Sequence, residues 1–168
     1  MITFTTAQEV DFFKIQALAR VIWPPTFEDI LSPEQIEYML QMMYSDDSLK
    51  KQVTLQKHTI LLVEENNRDI GFLSYQLNYK DMPSTKIHKL YLLPETQGMG
   101  YGRKMIEEIL RQANKENQKT ISLNVNRFNK AFKFYQNLGF KHIHNEDIDI
   151  GNGFLMEDYV LELKLADD

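Results

Sequence analysis

The stretch Gln97-Gly98-Met99-Gly100-Tyr101-Gly102 decides how the rest of this chain is read. It follows an apolar run, 87–93, and precedes Met105, Ile106, Ile109, Leu110 and Ala113, whose spacing keeps one face of a helix apolar. A glycine-rich turn in that position leads backbone amides without intrahelical partners to the positive end of a helix. Such an end attracts anions, and glycine lets a backbone approach a pyrophosphate closely. Spacing alone leaves two readings open, a phosphate site or a plain tight connection. Two other nucleotide loops fail: a dinucleotide fingerprint counted from Gly98 needs Gly or Ala at Arg103, and a Walker loop needs Gly-Lys where the chain has Arg103-Lys104.

Toward the N-terminus, 58–64 and 70–79 read as strands joined by a hairpin loop at 65–69, and 87–93 as a more continuously apolar, central strand. Thr6-Ala7-Gln8-Glu9 matches a capping box after a short strand at 2–5. The helix it opens keeps Val10, Phe13, Ala17, Leu18 and Val21 on one face and is expected to end at Pro24-Pro25, leaving Trp23 to Glu28 as a loop. Ser32-Pro33-Glu34-Gln35 is a second capping box, opening a helix with Ile36, Met39, Leu40 and Met43 at helical spacing, and a third helical piece covers 46–56. Downstream, Ile121, Leu123 and Val125 alternate as a strand, while Phe128, Ala131, Phe132, Tyr135 and Leu138 return to helical spacing before Gly139. Closing strands are expected at 140–145 and 154–165. The order predicts one α+β domain, 1–168, with a mixed sheet flanked by helices.

A chain of 168 residues with 43% apolar and 26% charged residues has the composition of an ordinary globular domain. Its formal charge of −5 argues against a broad nucleic-acid surface. The absence of cysteine excludes disulfides, zinc–thiolate sites and thiol nucleophiles. Met1-Ile2-Thr3-Phe4-Thr5 lacks a signal-peptide pattern and no stretch reaches transmembrane length, so the expectation is a cytoplasmic protein without a membrane partner.

Gln97, Gly100 and Gly102 match the pyrophosphate motif Gln/Arg-x-x-Gly-x-Gly/Ala of the GNAT superfamily, which the chain resembles over roughly 85–145. Leu90-Tyr91-Leu92-Leu93-Pro94 looks like the strand before that motif. Asn126 to Phe140 resembles the family's Asn-x-x-Ala-x-x-Phe-Tyr-x-x-x-Gly-Phe segment. The resemblance implies the GNAT fold with its mostly antiparallel sheet, an acetyl-CoA-dependent N-acetyltransferase, and no metal. It also implies that Gln97, Gly98, Met99, Gly100, Tyr101 and Gly102 hold the cofactor, that Leu90 and Leu92 offer it backbone hydrogen bonds, and that Asn129 contacts it. By the same resemblance Tyr135 protonates the departing thiolate, a task suited to a phenol whose ordinary pKa is about 10. Periodicity alone makes Tyr135 a core aromatic and Asn129 a helix-start residue.

For the general base, Glu28, His88 and Glu157 stand as alternatives. His142-Ile143-His144-Asn145-Glu146 superficially resembles a metal site on one strand face but reads as a solvated edge. Trp23 to Phe27, together with Asp149 to Tyr159, resembles a bacterial subgroup that includes polyamine and diamine acetyltransferases, which makes Trp23, Phe27, Glu28 and Glu157 the expected acceptor contacts. A protein N-terminus or lysine as acceptor, and a non-catalytic acyl-CoA-binding module, remain the rival readings. Many members of the family form homodimers, and no stretch here specifies an interface.

Overall fold

A computed structural model describes residues 1–167. Asp168, the last residue of the expected domain, lies outside the described residues. The elements are β1 (Ile2–Thr6), α1 (Phe12–Phe27), α2 (Pro33–Tyr44), α3 (Asp46–Thr54), β2 (Thr59–Glu65), β3 (Arg68–Gln76), β4 (Ser84–Leu92), α4 (Tyr101–Lys115), β5 (Thr120–Asn126), α5 (Ala131–Asn137), β6 (Lys141–Gly151) and β7 (Phe154–Lys164). The hydrogen-bonded strand order is β1-β2-β3-β4-β5-β7-β6. β1–β2, β2–β3, β5–β7 and β6–β7 are antiparallel and β4–β5 is parallel, the mixed, mostly antiparallel sheet of an α+β fold. The chain divides into two compact units: Met1–Gln76 with His88–Ile109, and Leu77–Ile87 with the chain from Leu110 onward.

In the first unit, β2 and β3 close through Asn66-Asn67, both left-handed at φ 50° and 63°, as a two-residue hairpin with the right twist requires. The α1 side chains Phe12, Ile15, Leu18, Ala19, Ile22, Trp23 and Phe27 are buried. That stripe is shifted from the expected one, since Val10, Phe13 and Val21 are 78%, 64% and 55% exposed. Both stripes have helical spacing, and the one carrying Trp23 and Phe12 removes more apolar area from water. α1 also runs through Pro24-Pro25 to Phe27. The prolines sit on its exposed face, where the carbonyls deprived of a donor can turn to water. The first cap is shifted too: Gln8 N donates to Asp11 Oδ2 at 2.9 Å, so the box begins at Gln8 and not at Thr6. At α2 the serine half of the expected box forms, with Gln35 N donating to Ser32 Oγ at 3.1 Å, while Gln35 Nε2 lies 3.9 Å from Met39 Sδ.

The second unit packs Ile121, Leu123, Val160, Leu161, Ala113 and Phe140 into its core. β3 stops at Gln76, short of the expected 79, because Asn78, Lys80 and Asp81 take left-handed φ of 53°, 54° and 58°. β6 runs to Gly151, well beyond the expected 145, and turns through Asn152-Gly153 at φ 55° and 77° into β7. A register shift between His142 and His144 breaks the expected single face of that histidine pair, and His142 Nε2 meets Asn145 Oδ1 at 2.7 Å.

Candidate functional site

β4 delivers the chain to the glycine turn. Leu90 is half-buried and Leu92 is 9% exposed, and Leu93 N donates to Ile70 O at 2.8 Å. A single 3-10 turn, Pro94–Thr96, follows, with Thr96 Oγ1 bonded to Leu93 O at 2.8 Å. Gln97 Nε2 reaches back to Leu92 O at 3.4 Å. Gly98 and Gly100 both adopt φ +80°, and a Cβ built on either would meet nothing within 4 Å. These two glycines are therefore required by conformation and not by crowding. Lys104 N donates to Gly100 O at 3.3 Å, so the amides of Tyr101, Gly102 and Arg103 precede the first intrahelical bond of α4. Residues 97–100 are exposed, which leaves this amide-rich, positively polarised helix end open to an anion.

Two neighbours shape the turn. Tyr101, 8% exposed, donates its hydroxyl to Glu65 Oε1, and that hydrogen bond to a carboxylate raises the phenol's pKa. Gly71 of β3 lies so close to β4 that a methyl group there would sit 2.4 Å from Tyr91 O and 2.9 Å from Leu92 Cδ2. Sequence reasoning missed both residues. An isolated glycine inside a strand does signal close backbone approach, whereas Glu65 carries no such mark.

The same unit holds a buried polar cluster. Lys89, 4% exposed, donates to Gln52 Oε1 at 2.5 Å and lies 5.6 Å from the Tyr44 ring centroid, with no carboxylate partner among the described residues. Burial lowers its pKa to about 8. His58 stacks on His88 at 3.8 Å between centroids, and burial, then the charge of Lys89, lowers the His58 pKa to about 4. His88 Nε2 meets Gln76 Oε1 at 3.0 Å. Both shifts disfavour the protonated form in the folded state, so the unfolded chain binds more protons in each window. Stability is expected to rise with pH from about 4 to 6.5 through His58 and again from about 8 to 10.5 through Lys89. Thermal melts of wild type and Lys89→Met check the second window. The variant is expected to be the more stable below pH 8, and its advantage to shrink toward pH 10.5; a constant difference would contradict the burial account.

In the second unit the parallel β4–β5 register ends at Ile87↔Leu123, while β5 continues to Asn126. Asn126 Oδ1 accepts from Phe128 N and Asn129 Oδ1 from Ala131 N, each at 2.9 Å, so Asn129 does organise the start of α5. α5 ends where Phe140 N bonds Tyr135 O at 3.1 Å and Gly139 N bonds Gln136 O at 3.0 Å, with Gly139 left-handed at φ 96°. This fixes Tyr135, 8% exposed, edge-on to Phe140 at 5.7 Å. Its hydroxyl has no hydrogen-bond partner among the described residues, and burial drives its pKa well up, so the proton stays on at neutral pH. Asp158, 2% exposed, accepts from Asn124 Nδ2 at 3.2 Å, and burial raises its pKa. Asn124 also donates to Glu146 and accepts from Lys86 Nζ, while Arg127 pairs with Asp147.

The structure thus gathers Leu90, Leu92 and Gln97–Gly102 in one unit, and Asn129 and Tyr135 on one turn and helix of the other. Trp23 is not a loop residue: it is 1% exposed, donates to Tyr44 Oη at 3.1 Å and packs with its ring tilted against Phe27 at 4.7 Å between centroids, Phe27 itself being 7% exposed. Glu28 is exposed at the end of α1, and Glu157 is exposed on β7 opposite Asp147. Among the described residues, no group of three or more His, Asp or Glu is arranged to hold a metal, and no helix is long and apolar enough to cross a membrane.

Residues 27–163 match the acetyltransferase (GNAT) domain family, and the chain belongs to that family. It is 33% identical over 84 residues to an uncharacterized N-acetyltransferase of Archaeoglobus fulgidus, covering 47% of this chain and 57% of that protein. A second relative, an uncharacterized N-acetyltransferase of Methanocaldococcus jannaschii, is 29% identical over 83 residues, covering 46% of this chain and 37% of that one. The chain therefore spans 57% and 37% of the length of these two relatives. Among solved structures, the PaiA N-acetyltransferase of Thermoplasma acidophilum, in complex with coenzyme A, is similar over 98% of this chain and 99% of its own, with a TM-score of 0.82 at 26% identity.

Proposed function

We propose that residues 1–168 form a single acetyltransferase domain that transfers the acetyl group of acetyl-CoA to a primary amine. The observation that carries the reading is the turn at 98–103: two glycines at φ +80° with open space around them, followed by amides not used by α4. The pyrophosphate binds those amides, the pantetheine arm hydrogen-bonds the backbone of Leu90 and Leu92, and Asn129 contacts the cofactor. In the reaction, the amine nitrogen forms a bond to the thioester carbonyl carbon and the carbon–sulfur bond breaks. Tyr135 gives its proton to the sulfur, the amine releases one to solvent, Tyr135 takes a proton back from solvent to close the cycle, and a backbone amide near Leu92 faces the developing oxyanion. Similarity to a structure that holds coenzyme A supports the cofactor assignment.

The acceptor in this reading is a small diamine or polyamine, and the protein is cytoplasmic. Glu146, Asp147, Asp149 and Glu157 lie exposed on the β6–β7 hairpin, with Arg127 paired to Asp147 and Lys86 near Glu146, and the acidic excess in that hairpin favours cationic ligands. Glu28 and Glu157 are the acidic contacts assigned to the acceptor. Thiol release from acetyl-CoA with polyamines, diamines, amino acids and peptides tests the assignment. Spermidine-type amines are expected to give turnover well above the thiol background. Turnover with peptides alone would transfer the assignment to protein amines, and tight cofactor binding without any acceptor would make the chain a binding module.

A further inference from the structure

Inside the glycine turn the ties are few. A Cβ on Gly98 or Gly100 would meet nothing within 4 Å and residues 97–100 are exposed, so beyond the bonds of Gln97 to Leu92 O and Pro94 O and of Lys104 N to Gly100 O, side-chain ties on the turn lie in its flanks. Both flanks are tied to the same two-residue hairpin. Glu65 and Arg68 are the closing pair of the β2–β3 turn, with Asn66-Asn67 between them. Glu65 accepts from the hydroxyl of Tyr101, the first residue of α4, and Arg68 Nη2 donates to Glu95 Oε1 at 2.7 Å on the other side of the glycines. The two ties differ in weight. Arg68 and Glu95 are 63% and 54% exposed, and ion pairs of that kind contribute little. Tyr101 is 8% exposed and bonds a carboxylate, so its tie is the stronger one.

We propose that Glu65, acting through Tyr101, is a positioning residue that holds the amides of 98–103 in the arrangement a pyrophosphate needs. This rests on the cofactor reading above. A carboxylate beside an anion site is electrostatically unfavourable to the ligand, and that opposition gives the proposal its sign: anchoring and charge repulsion predict opposite effects when Glu65 is removed.

Isothermal titration with coenzyme A, paired with steady-state kinetics on acetyl-CoA and on S-acetyl-pantetheine, which has no pyrophosphate, reads the difference. Glu65→Ala and Tyr101→Phe are each expected to raise the Kd for coenzyme A and the KM for acetyl-CoA roughly tenfold, with kcat nearly unchanged. The double variant is expected to be no worse than either single one, because the two residues act as one unit. Glu65→Gln keeps an acceptor without the charge and is expected to restore wild-type affinity or better. Kinetics with S-acetyl-pantetheine are expected to be the same in all variants. Tyr101→Phe removes one oxygen and serves as the test should Glu65→Ala fail to fold. Tighter coenzyme A binding by Glu65→Ala, additive losses in the double variant, or an equal loss with S-acetyl-pantetheine would each overturn the proposal. Failure of the wild type itself to bind coenzyme A would instead overturn the cofactor reading on which it stands.

Discussion

Tyr135→Phe is expected to lower kcat by roughly 10²- to 10⁴-fold, the range over which a general acid contributes, while the Kd for coenzyme A stays within about twofold. The substitution removes only the hydroxyl. The ring contact with Phe140 and the cap that places Tyr135 by its backbone carbonyl are retained, so folding is not the variable. Burial raises the phenol's pKa, which keeps the proton available across neutral pH and predicts no loss of rate from Tyr135 deprotonation below about pH 10. Stopped-flow single turnovers with acetyl-CoA and the best acceptor isolate the chemical step. Wild-type rates in Tyr135→Phe would remove the acid role and leave Tyr135 as a core aromatic.

Gly71→Ala is expected to be damaging in a different way. The new methyl would stand 2.4 Å from the backbone oxygen of Tyr91, a distance no rotamer change can relieve, and 2.9 Å from the Leu92 side chain. β3 and β4 would have to separate locally, at a cost of about 1–3 kcal/mol. Because Leu92 ends the strand that feeds the glycine turn, the displacement should also raise the KM for acetyl-CoA. Urea unfolding and steady-state kinetics on one preparation test both effects. A variant with an unchanged urea midpoint and unchanged KM would mean that the strands accommodate the methyl freely and that Leu92 does not set the turn.

The element order was legible because hydrophobic period is local, and the glycine turn before α4 and the end of α5 were legible because their glycines and caps are local too. Failures occurred where two local signals competed. α1 carries two apolar stripes at helical spacing, and only packing decides that Phe12, Ile15 and Ile22 go inside while Val10, Phe13 and Val21 stay out. Pro24-Pro25 reads as a stop, yet prolines on a helix's wet face deprive only carbonyls that water can reach. The Asn152-Gly153 tip of the β6–β7 hairpin was visible as a dipeptide, and reading it would have lengthened β6 correctly. What sequence does not carry is the pairing of distant side chains: Glu65 with Tyr101 across 36 residues, and Gln52 with Lys89 across 37.

Backbone amide spectra of the isotope-labelled chain, titrated with coenzyme A and separately with pantetheine, test the central claim most directly. The account predicts that coenzyme A shifts the resonances of Gly98 to Arg103 most strongly and that pantetheine, lacking the pyrophosphate, leaves them nearly in place. Coenzyme A binding that leaves these amides unmoved, or shifts them no more than pantetheine does, would contradict it.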